Sequence, residues 1–144
     1  MDVDITLLDE ALEMPRYAHE GDAGLDLRAT VGGSLAPFER MTVPCGFALA
    51  LPEGHAGLVV PRSGLAAHHG ISVVNAPGLI DAGYRGEIQV VLVNLDPHET
   101  FAFERGDRIA QLMVVATPSI TLHNTDSLSE SDRGGRGFGS SGVH

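Results

Sequence analysis

The residues with the clearest capacity for chemistry lie between positions 73 and 90. This stretch reads VVNAPGLIDAGYRGEIQV and sets Asn75, Asp81 and Tyr84 among turn-forming residues between two apolar runs. Pro77-Gly78 and the glycines after Asp81 predict two chain reversals, which would put Asp81 and Tyr84 at the mouth of a hairpin. Free backbone groups there, with the Asn75 amide, could bind the edge of a flat ligand about one base wide. A plain turn without a ligand is the alternative, since the same residue types occur in any turn.

A second candidate site begins at residues 62–64, where an arginine, a serine and a glycine follow an apolar run. Ser63 is a good N-cap for a short helix that Gly70 should end after barely two turns. Free backbone N–H groups at the helix start, the serine hydroxyl and the Arg62 guanidinium could together bind an anion. An ordinary capped helix with a surface arginine is the alternative interpretation.

Gln111 is a polar residue in an otherwise apolar strand. The strand is predicted over residues 109–115, and its alternation should place Ile109, Gln111 and Met113 on one face. A buried amide among apolar neighbours needs a hydrogen-bond partner, which either the protein or a ligand could supply.

The stretch at residues 133–142 sets two arginines and one phenylalanine among glycine and serine. Such a composition is typical of a disordered tail. The alternative is a segment that folds over a nucleotide, with Phe138 on the base and the arginines and hydroxyls on the phosphates. We predict a β domain over residues 1–125 and a flexible linker with a lid arm over residues 126–144.

Short strands must position these residues. The chain has 144 residues, the size of one domain, with 18 Gly, 8 Pro and no Trp, and it lacks a sustained helical period. These features favour an all-β fold with one short helix. In the second predicted strand Leu25 and Leu27 should share one face and Asp26 should lie on the other, a solvated face in the simplest interpretation. Strands are predicted at residues 3–8, 25–29, 39–44, 47–51, 58–60, 71–74, 79–80, 87–94 and 109–115.

Charge and composition limit the partners. The net charge of −10 argues against nonspecific binding to nucleic acid, and because the chain has no lysine, any anion must be bound locally by arginine. Cys45 is the single cysteine, and its apolar neighbours predict a buried, inert thiol in a reducing compartment. No apolar run approaches the roughly 18 residues of a membrane span. We therefore expect a soluble, cytoplasmic protein.

Five short motifs, taken in order, resemble those of the homotrimeric, all-β dUTP pyrophosphatase (dUTPase) family. They span nearly the whole chain: AGLDL at residues 23–27, PRSGLA at 61–66, the stretch at 75–89, RGDRIAQL at 105–112 and the Gly-rich segment at 133–142. Each motif is weak alone, but chance agreement at five spaced sites is negligible. Arg136 occupies a variable position of the fifth motif, and the resemblance gives it no definite role.

The resemblance implies a distorted jelly roll with three active sites at the subunit interfaces of a homotrimer. The implied reaction is hydrolysis of dUTP to dUMP and pyrophosphate with Mg²⁺, by attack of water on the α-phosphate. This reaction would limit uracil incorporation into DNA and supply dUMP for dTMP synthesis. Asp81 would be the base that activates the water, and Asp26 would hold waters of the magnesium shell without ligating the ion directly.

The resemblance also implies which residues bind the substrate. Asn75 and the nearby backbone would bind uracil, and the Tyr84 ring would press on the deoxyribose and exclude a 2′-hydroxyl. The phosphates would be held by Arg62, Ser63, Gly64 and Gln111. The lid would contribute Arg133, Phe138, Ser140 and Ser141, with Phe138 stacked on uracil.

Two alternative functions differ from this one in the residues that they require. A dCTP deaminase shares the fold by resemblance, but it would need a catalytic glutamate and a different serine-rich second motif, and the sequence has neither. A catalytically silent jelly-roll module that binds a nucleotide or a protein would have no use for a water-activating carboxylate at Asp81.

Overall fold

The computed structural model describes residues 1–137, and in that range it consists of short strands and one helix. This confirms the all-β class and the single short helix. No helix among the described residues has the length and apolar character needed to cross a membrane. The elements, in chain order, are β1 Asp4–Leu7, β2 Leu25–Arg28, β3 Gly33–Leu35, β4 Arg40–Pro44, β5 Phe47–Ala50, β6 His55–Pro61, α1 Ser63–His69, β7 Ile71–Val73, β8 Gly78–Asp81, β9 Gln89–Asn94, β10 Phe101–Phe103 and β11 Arg108–Ala116.

The strands pair antiparallel in four small sheets. The largest has the order β2-β11-β6-β8, a second has the order β4-β9-β7, and β1-β5 and β3-β10 form two-stranded pairs. Apolar side chains from all four sheets share one core. Cys45 lies in this core, where burial, with a smaller effect from Glu87, raises the pKa of its thiol to about 12. The predicted buried thiol is confirmed, and it stays protonated and therefore unreactive at neutral pH.

The start of helix α1 differs from the prediction. Arg62, not Ser63, is the N-cap residue, and no side chain caps the helix. The reason is that the chain leaves β6 still extended at Arg62 (ψ 128°), so helical geometry begins one residue later. The carbonyl of Arg62 accepts the first helical hydrogen bond, from the Ala66 N–H at 3.0 Å. Gly70 ends the helix in the left-handed conformation (φ 64°), as predicted.

Both predicted hairpins are wrong, the one around Pro77 and the one with Asp81 and Tyr84 at its mouth, because β8 does not pair with β7 or with β9. Strand β7 pairs with β9, whereas β8 pairs with β6, so residues 74–77 carry the chain from one sheet to another. The Ala76–Pro77 peptide is cis, which also differs from the predicted turn with proline in its second position. Turn-forming residues indicate where the chain changes direction, but they do not specify which sheet edge the next strand joins.

Two strands and one bulge were not predicted. Strands β3 and β10 pair with each other across a separation of more than sixty residues in sequence, and three-residue strands give almost no alternation signal. In β11 the register with β2 shifts between Arg108 and Ala110. Because of this bulge Ile109 and Ala110 are both buried, so Ile109 does not share the partly exposed face of Gln111 as predicted.

Candidate active site

One row of side chains crosses three strands of the largest sheet. Asp26 on β2 lies opposite Gln111 on β11, which in turn lies opposite Val60 on β6. Their strand neighbours Leu27, Leu112 and Val59 are buried in the core, so alternation places this row on the outer face of the sheet. The sheet register therefore brings Asp26 and Gln111 together although 85 positions separate them in the sequence.

Two arginines surround the Asp26 carboxylate, and we call Asp26, Arg62 and Arg108 the carboxylate–arginine cluster. Arg108 Nη1 donates to Asp26 Oδ2 at 3.0 Å. Arg62 Nε lies 3.4 Å from Oδ1, which is an ion-pair distance without hydrogen-bond geometry. Oδ1 is buried and has no hydrogen-bond donor among the described residues. Only 11% of the side chain is exposed, so the solvated strand face expected for Asp26 is wrong.

Arg62 is fixed in place by the backbone of the neighbouring strand. Its Nη1 donates to the carbonyl of Arg108 at 3.0 Å, and about a quarter of its side chain is exposed. Ser63 and Gly64 follow it at the exposed start of α1, where the first N–H groups have no partner within the helix. A group reaching this edge of the sheet would meet guanidinium, hydroxyl and amide donors together.

Gln111 is half-buried beside Gly24. A Cβ atom at position 24 would lie 3.2 Å from Gln111 Cβ and 3.4 Å from its Cδ, a tight contact. The lack of a side chain at Gly24 therefore gives the Gln111 amide the space it occupies next to Asp26.

Asp81 and Tyr84 belong to a compact loop, the tyrosine turn, which we define as residues 81–87. The Tyr84 N–H donates to the Asp81 carbonyl at 3.0 Å, closing the turn. The Tyr84 hydroxyl donates to the Glu87 carbonyl at 3.0 Å. The turn borders a cleft of about 180 Å³ lined by Leu79, Ile80, Asp81, Tyr84, Glu87, Ile88 and Gln89.

Asn75 lies on the segment that precedes β8, not on the tyrosine turn. It is exposed, and its amide nitrogen would be 3.3 Å from a Cβ atom at Gly78, so its side chain packs over the first residue of that strand. Asn75 and Asp81 are therefore at opposite ends of β8, about 10 Å apart along the strand.

The tyrosine turn and the carboxylate–arginine cluster lie on the same face of the sheet but at different ends. Asp81 is opposite Ala56 on β6, whereas Gln111 is opposite Val60. Four residues along β6 span about 13 Å and two strand spacings add about 10 Å, so the Cα atoms of Asp81 and Gln111 are roughly 16 Å apart. One chain therefore does not bring Asp81 to the phosphate-binding candidates Arg62 and Gln111.

The predicted lid is only partly described. Arg133 and Arg136 are exposed and bond to each other's backbone: Arg133 Nε donates to the Arg136 carbonyl at 2.9 Å, and Arg136 Nε to the Arg133 carbonyl at 3.0 Å. Neither contact points to a ligand. Phe138, Ser140 and Ser141 lie outside the described residues.

Arg108 received no role from the sequence. Its contact with Asp26 depends on the order of strands β2 and β11, which local patterns do not give. Two features of the sequence could have indicated a role for Arg108. It lies on the strand that carries Gln111, and the chain has no lysine, so its anion sites must be built from arginine.

Comparisons with known proteins find similar sequences and similar folds. A sequence model of the family described as dUTPase matches residues 10–142. A deoxyuridine 5′-triphosphate nucleotidohydrolase of Streptomyces griseus is 54% identical over 144 residues, covering 100% of this chain and 82% of that protein.

Solved structures show the same fold. A variant of the dUTPase of Staphylococcus bacteriophage 80alpha, with dUpNHpp, has a TM-score of 0.91 at 29% identity, covering 99% of each chain. A variant dUTPase from phage phi11 of S. aureus, whose structure describes the coordination of a structural Mg(II) ion, has a TM-score of 0.81 at 25% identity, covering 90% of this chain and 100% of that one.

Proposed function

The chain belongs to the dUTPase family and is a dUTP-hydrolysing enzyme, and we propose that it adds water to the α-phosphate. In this reaction the water oxygen bonds to the α-phosphorus, and the bond from that phosphorus to the oxygen bridging to the β-phosphate breaks. Pyrophosphate leaves, dUMP retains the new oxygen, and the water proton passes to Asp81. Removal of dUTP by this route limits uracil incorporation into DNA, and the dUMP formed supplies dTMP synthesis.

Asp81 is the general base. Its carboxylate is exposed at the cleft beside Tyr84, and the closed turn fixes the backbone that carries it. Phosphoryl transfer to water requires positioning and charge neutralisation more than covalent chemistry. An oriented carboxylate beside the cleft is therefore sufficient, and no nucleophilic side chain is needed.

Groups at the two ends of β8 select the nucleoside. The exposed Asn75 amide and the neighbouring backbone bind the edge of uracil, and the Tyr84 ring fills the space where a ribose would carry its 2′-hydroxyl. The ring is suited to this role because 45% of the residue is exposed while its hydroxyl is already bonded to the turn.

The phosphates bind at the carboxylate–arginine cluster. Arg62 supplies a partly exposed guanidinium, Ser63 and Gly64 supply hydroxyl and N–H donors at the start of α1, and Gln111 supplies its amide. Arg133 and, beyond the described residues, Phe138, Ser140 and Ser141 belong to a lid arm over residues 126–144 that closes on the substrate bound to the β domain of residues 1–125.

The donor set fits magnesium held mainly by the substrate. Asp26 Oδ1 is a buried oxygen without a donor, which suits a bond from a metal-bound water. The described residues of one chain contain no group of three or more His, Cys, Asp or Glu side chains placed to hold a metal ion. When bound to the triphosphate, Mg²⁺ would neutralise phosphate charge, and Asp26, held by Arg108, would accept hydrogen bonds from its waters.

The observation that carries this proposal is the separation of roughly 16 Å between Asp81 and Gln111 along one sheet. We infer that the two groups reach one triphosphate from two copies of the chain, as in the homotrimer that the motifs imply. The outer face between them supports contact between copies, because it presents Leu58, Met113 and Leu79, the last of which is 65% exposed.

Hydrolysis in H₂¹⁸O tests the chemistry. Attack on the α-phosphate predicts ¹⁸O in dUMP and none in pyrophosphate, measured by mass spectrometry after a single turnover. Label in pyrophosphate would contradict the proposed site of attack. The same reaction with dCTP tests the deaminase alternative, because release of ammonia would favour that function.

A further inference from the structure

The Tyr84 ring lies directly against the backbone of Gly86. A Cβ atom built at position 86 would be 2.6 Å from Tyr84 Cζ and 3.0 Å from Cε2, and closer still to the hydroxyl oxygen. Carbon atoms in folded proteins do not approach this closely, because hard-sphere repulsion forbids it. The ring therefore occupies the space that any side chain at position 86 would fill.

The backbone of Gly86 does not itself require glycine. Its φ angle is outside the left-handed range, which among the glycines of the described residues is occupied at positions 21, 46, 54, 70, 106 and 134. An alanine at this position would therefore not be forced into the left-handed region. The three atoms nearest to a Cβ atom at this position all belong to the tyrosine side chain.

The ring is also fixed at its tip. The Tyr84 hydroxyl donates to the Glu87 carbonyl at 3.0 Å, and the Glu87 carboxylate accepts a hydrogen bond from the Gly46 N–H at 2.8 Å. This second bond anchors the tyrosine turn to the connection between β4 and β5. The tyrosine side chain is thus fixed by its contact with Gly86 and by its hydroxyl bond, and it lines the cleft.

We propose that Gly86 is a positioning residue for sugar selection: its lack of a side chain lets the Tyr84 ring lie back against the turn at the depth that accepts deoxyribose and excludes ribose. This inference rests on the proposed function of Tyr84. A methyl group at position 86 moves the ring toward the cleft and weakens its bond to Glu87. The fit of deoxyribose is then lost and kcat/KM for dUTP falls. The value for UTP, whose ribose is already excluded, changes little.

The test measures kcat/KM for dUTP and for UTP in Gly86→Ala, Tyr84→Ala and the double variant. Gly86→Ala should lower the dUTP-to-UTP ratio about tenfold, since misplacement by about 1 Å can cost as much as 100-fold. Gly83→Ala is the matched control in the same turn, because a Cβ atom there meets nothing within 4 Å. It should leave the ratio unchanged. Gly86→Ala should have no further effect in the Tyr84→Ala background, where no ring remains to be displaced.

The outcomes separate this inference from the function on which it rests. An unchanged ratio in Tyr84→Ala would show that the tyrosine does not select the sugar. That result overturns both the positioning role of Gly86 and the proposed role of Tyr84. A lowered ratio in Tyr84→Ala with an unchanged ratio in Gly86→Ala overturns the positioning role alone. If Gly86→Ala does not fold, the double variant is decisive. A double variant that folds as well as the Tyr84→Ala variant supports a collision between the new methyl group and the ring. A double variant that does not fold shows a backbone requirement for glycine and overturns the inference.

Discussion

The carboxylate–arginine cluster is stabilised by contacts between distant parts of the sequence, whereas the tyrosine turn is stabilised mainly by local contacts. In the cluster, side chains from three elements meet through ion pairs, and Asp26 is 82 positions from Arg108. In the turn, the main contacts join groups within three residues of one another and use the backbone as acceptor. The cluster therefore depends on the order of strands in the sheet. The turn is closed mainly by local contacts and is anchored to the rest of the chain by the Gly46–Glu87 bond. A turn closed in this way can keep its shape when it faces another copy of the chain, as the proposed shared site requires.

The largest effect is expected at the turn. Asp81→Asn should lower kcat by about 10²–10⁴-fold with little change in KM, because it removes the general base and keeps the shape of the side chain. Steady-state kinetics with dUTP provide the measurement, and Asp2→Asn at the exposed N-terminus is the control. Turnover near that of the unaltered enzyme would exclude Asp81 as the base.

A smaller effect is expected from loosening the cluster. Arg108→Gln removes the 3.0 Å donor to Asp26 Oδ2 and leaves Arg62 as the remaining cation beside that carboxylate. Loss of such a supporting contact should reduce activity about tenfold and raise the Mg²⁺ concentration needed for half-maximal rate. Arg40→Gln, on an exposed arginine of β4, is the matched control. A lower rate with an unchanged Mg²⁺ requirement would show that Arg108 does not act by orienting Asp26.

The smallest effect concerns the ion pair between Asp9 and Arg105, outside the proposed site. Arg105 binds Asp9 through two hydrogen bonds, of 2.5 and 2.8 Å, and its side-chain bond holds the pKa of Asp9 below the ordinary value of 3.8. A lowered folded pKa gives stability above the unfolded pKa, and this stability is lost as the pH falls through the folded value.

Asp9→Asn should therefore lower the Tm slightly at pH 7, and the difference should shrink below pH 3.8. Thermal unfolding followed across pH provides the measurement. Asp22→Asn is the control, because that carboxylate accepts a backbone bond and has no arginine partner among the described residues. A difference that persists unchanged in acid would show that the charge of Asp9 is not responsible.

Local signals predicted the elements better than their assembly. The turn chemistry around Asp81 and Tyr84, the end of α1 at Gly70 and most strands follow from neighbouring residues, and the structure contains them. The pairing of β8 with β6, the bulge in β11 and the burial of Asp26 depend on contacts between distant segments. Arg108 was missed for the same reason.

The resemblance to a family supplied what local patterns did not, namely a shared site with assigned roles. The fold it implied is confirmed. The individual roles of its residues, including those of Phe138, Ser140 and Ser141 outside the described range, stay predictions.

Mixing two inactive chains tests the shared site most directly. One chain carries Asp81→Asn and the other Arg62→Ala, and the two are refolded together so that copies mix at random in closed rings. If the base and the phosphate-binding arginine of each site come from different copies, a site is complete with a probability of about one half times one half. Activity should then recover toward a quarter of that of the unaltered enzyme. If each copy used its own Asp81 and Arg62, no mixture would contain a complete site, and activity at the level of the two inactive parents would contradict the account.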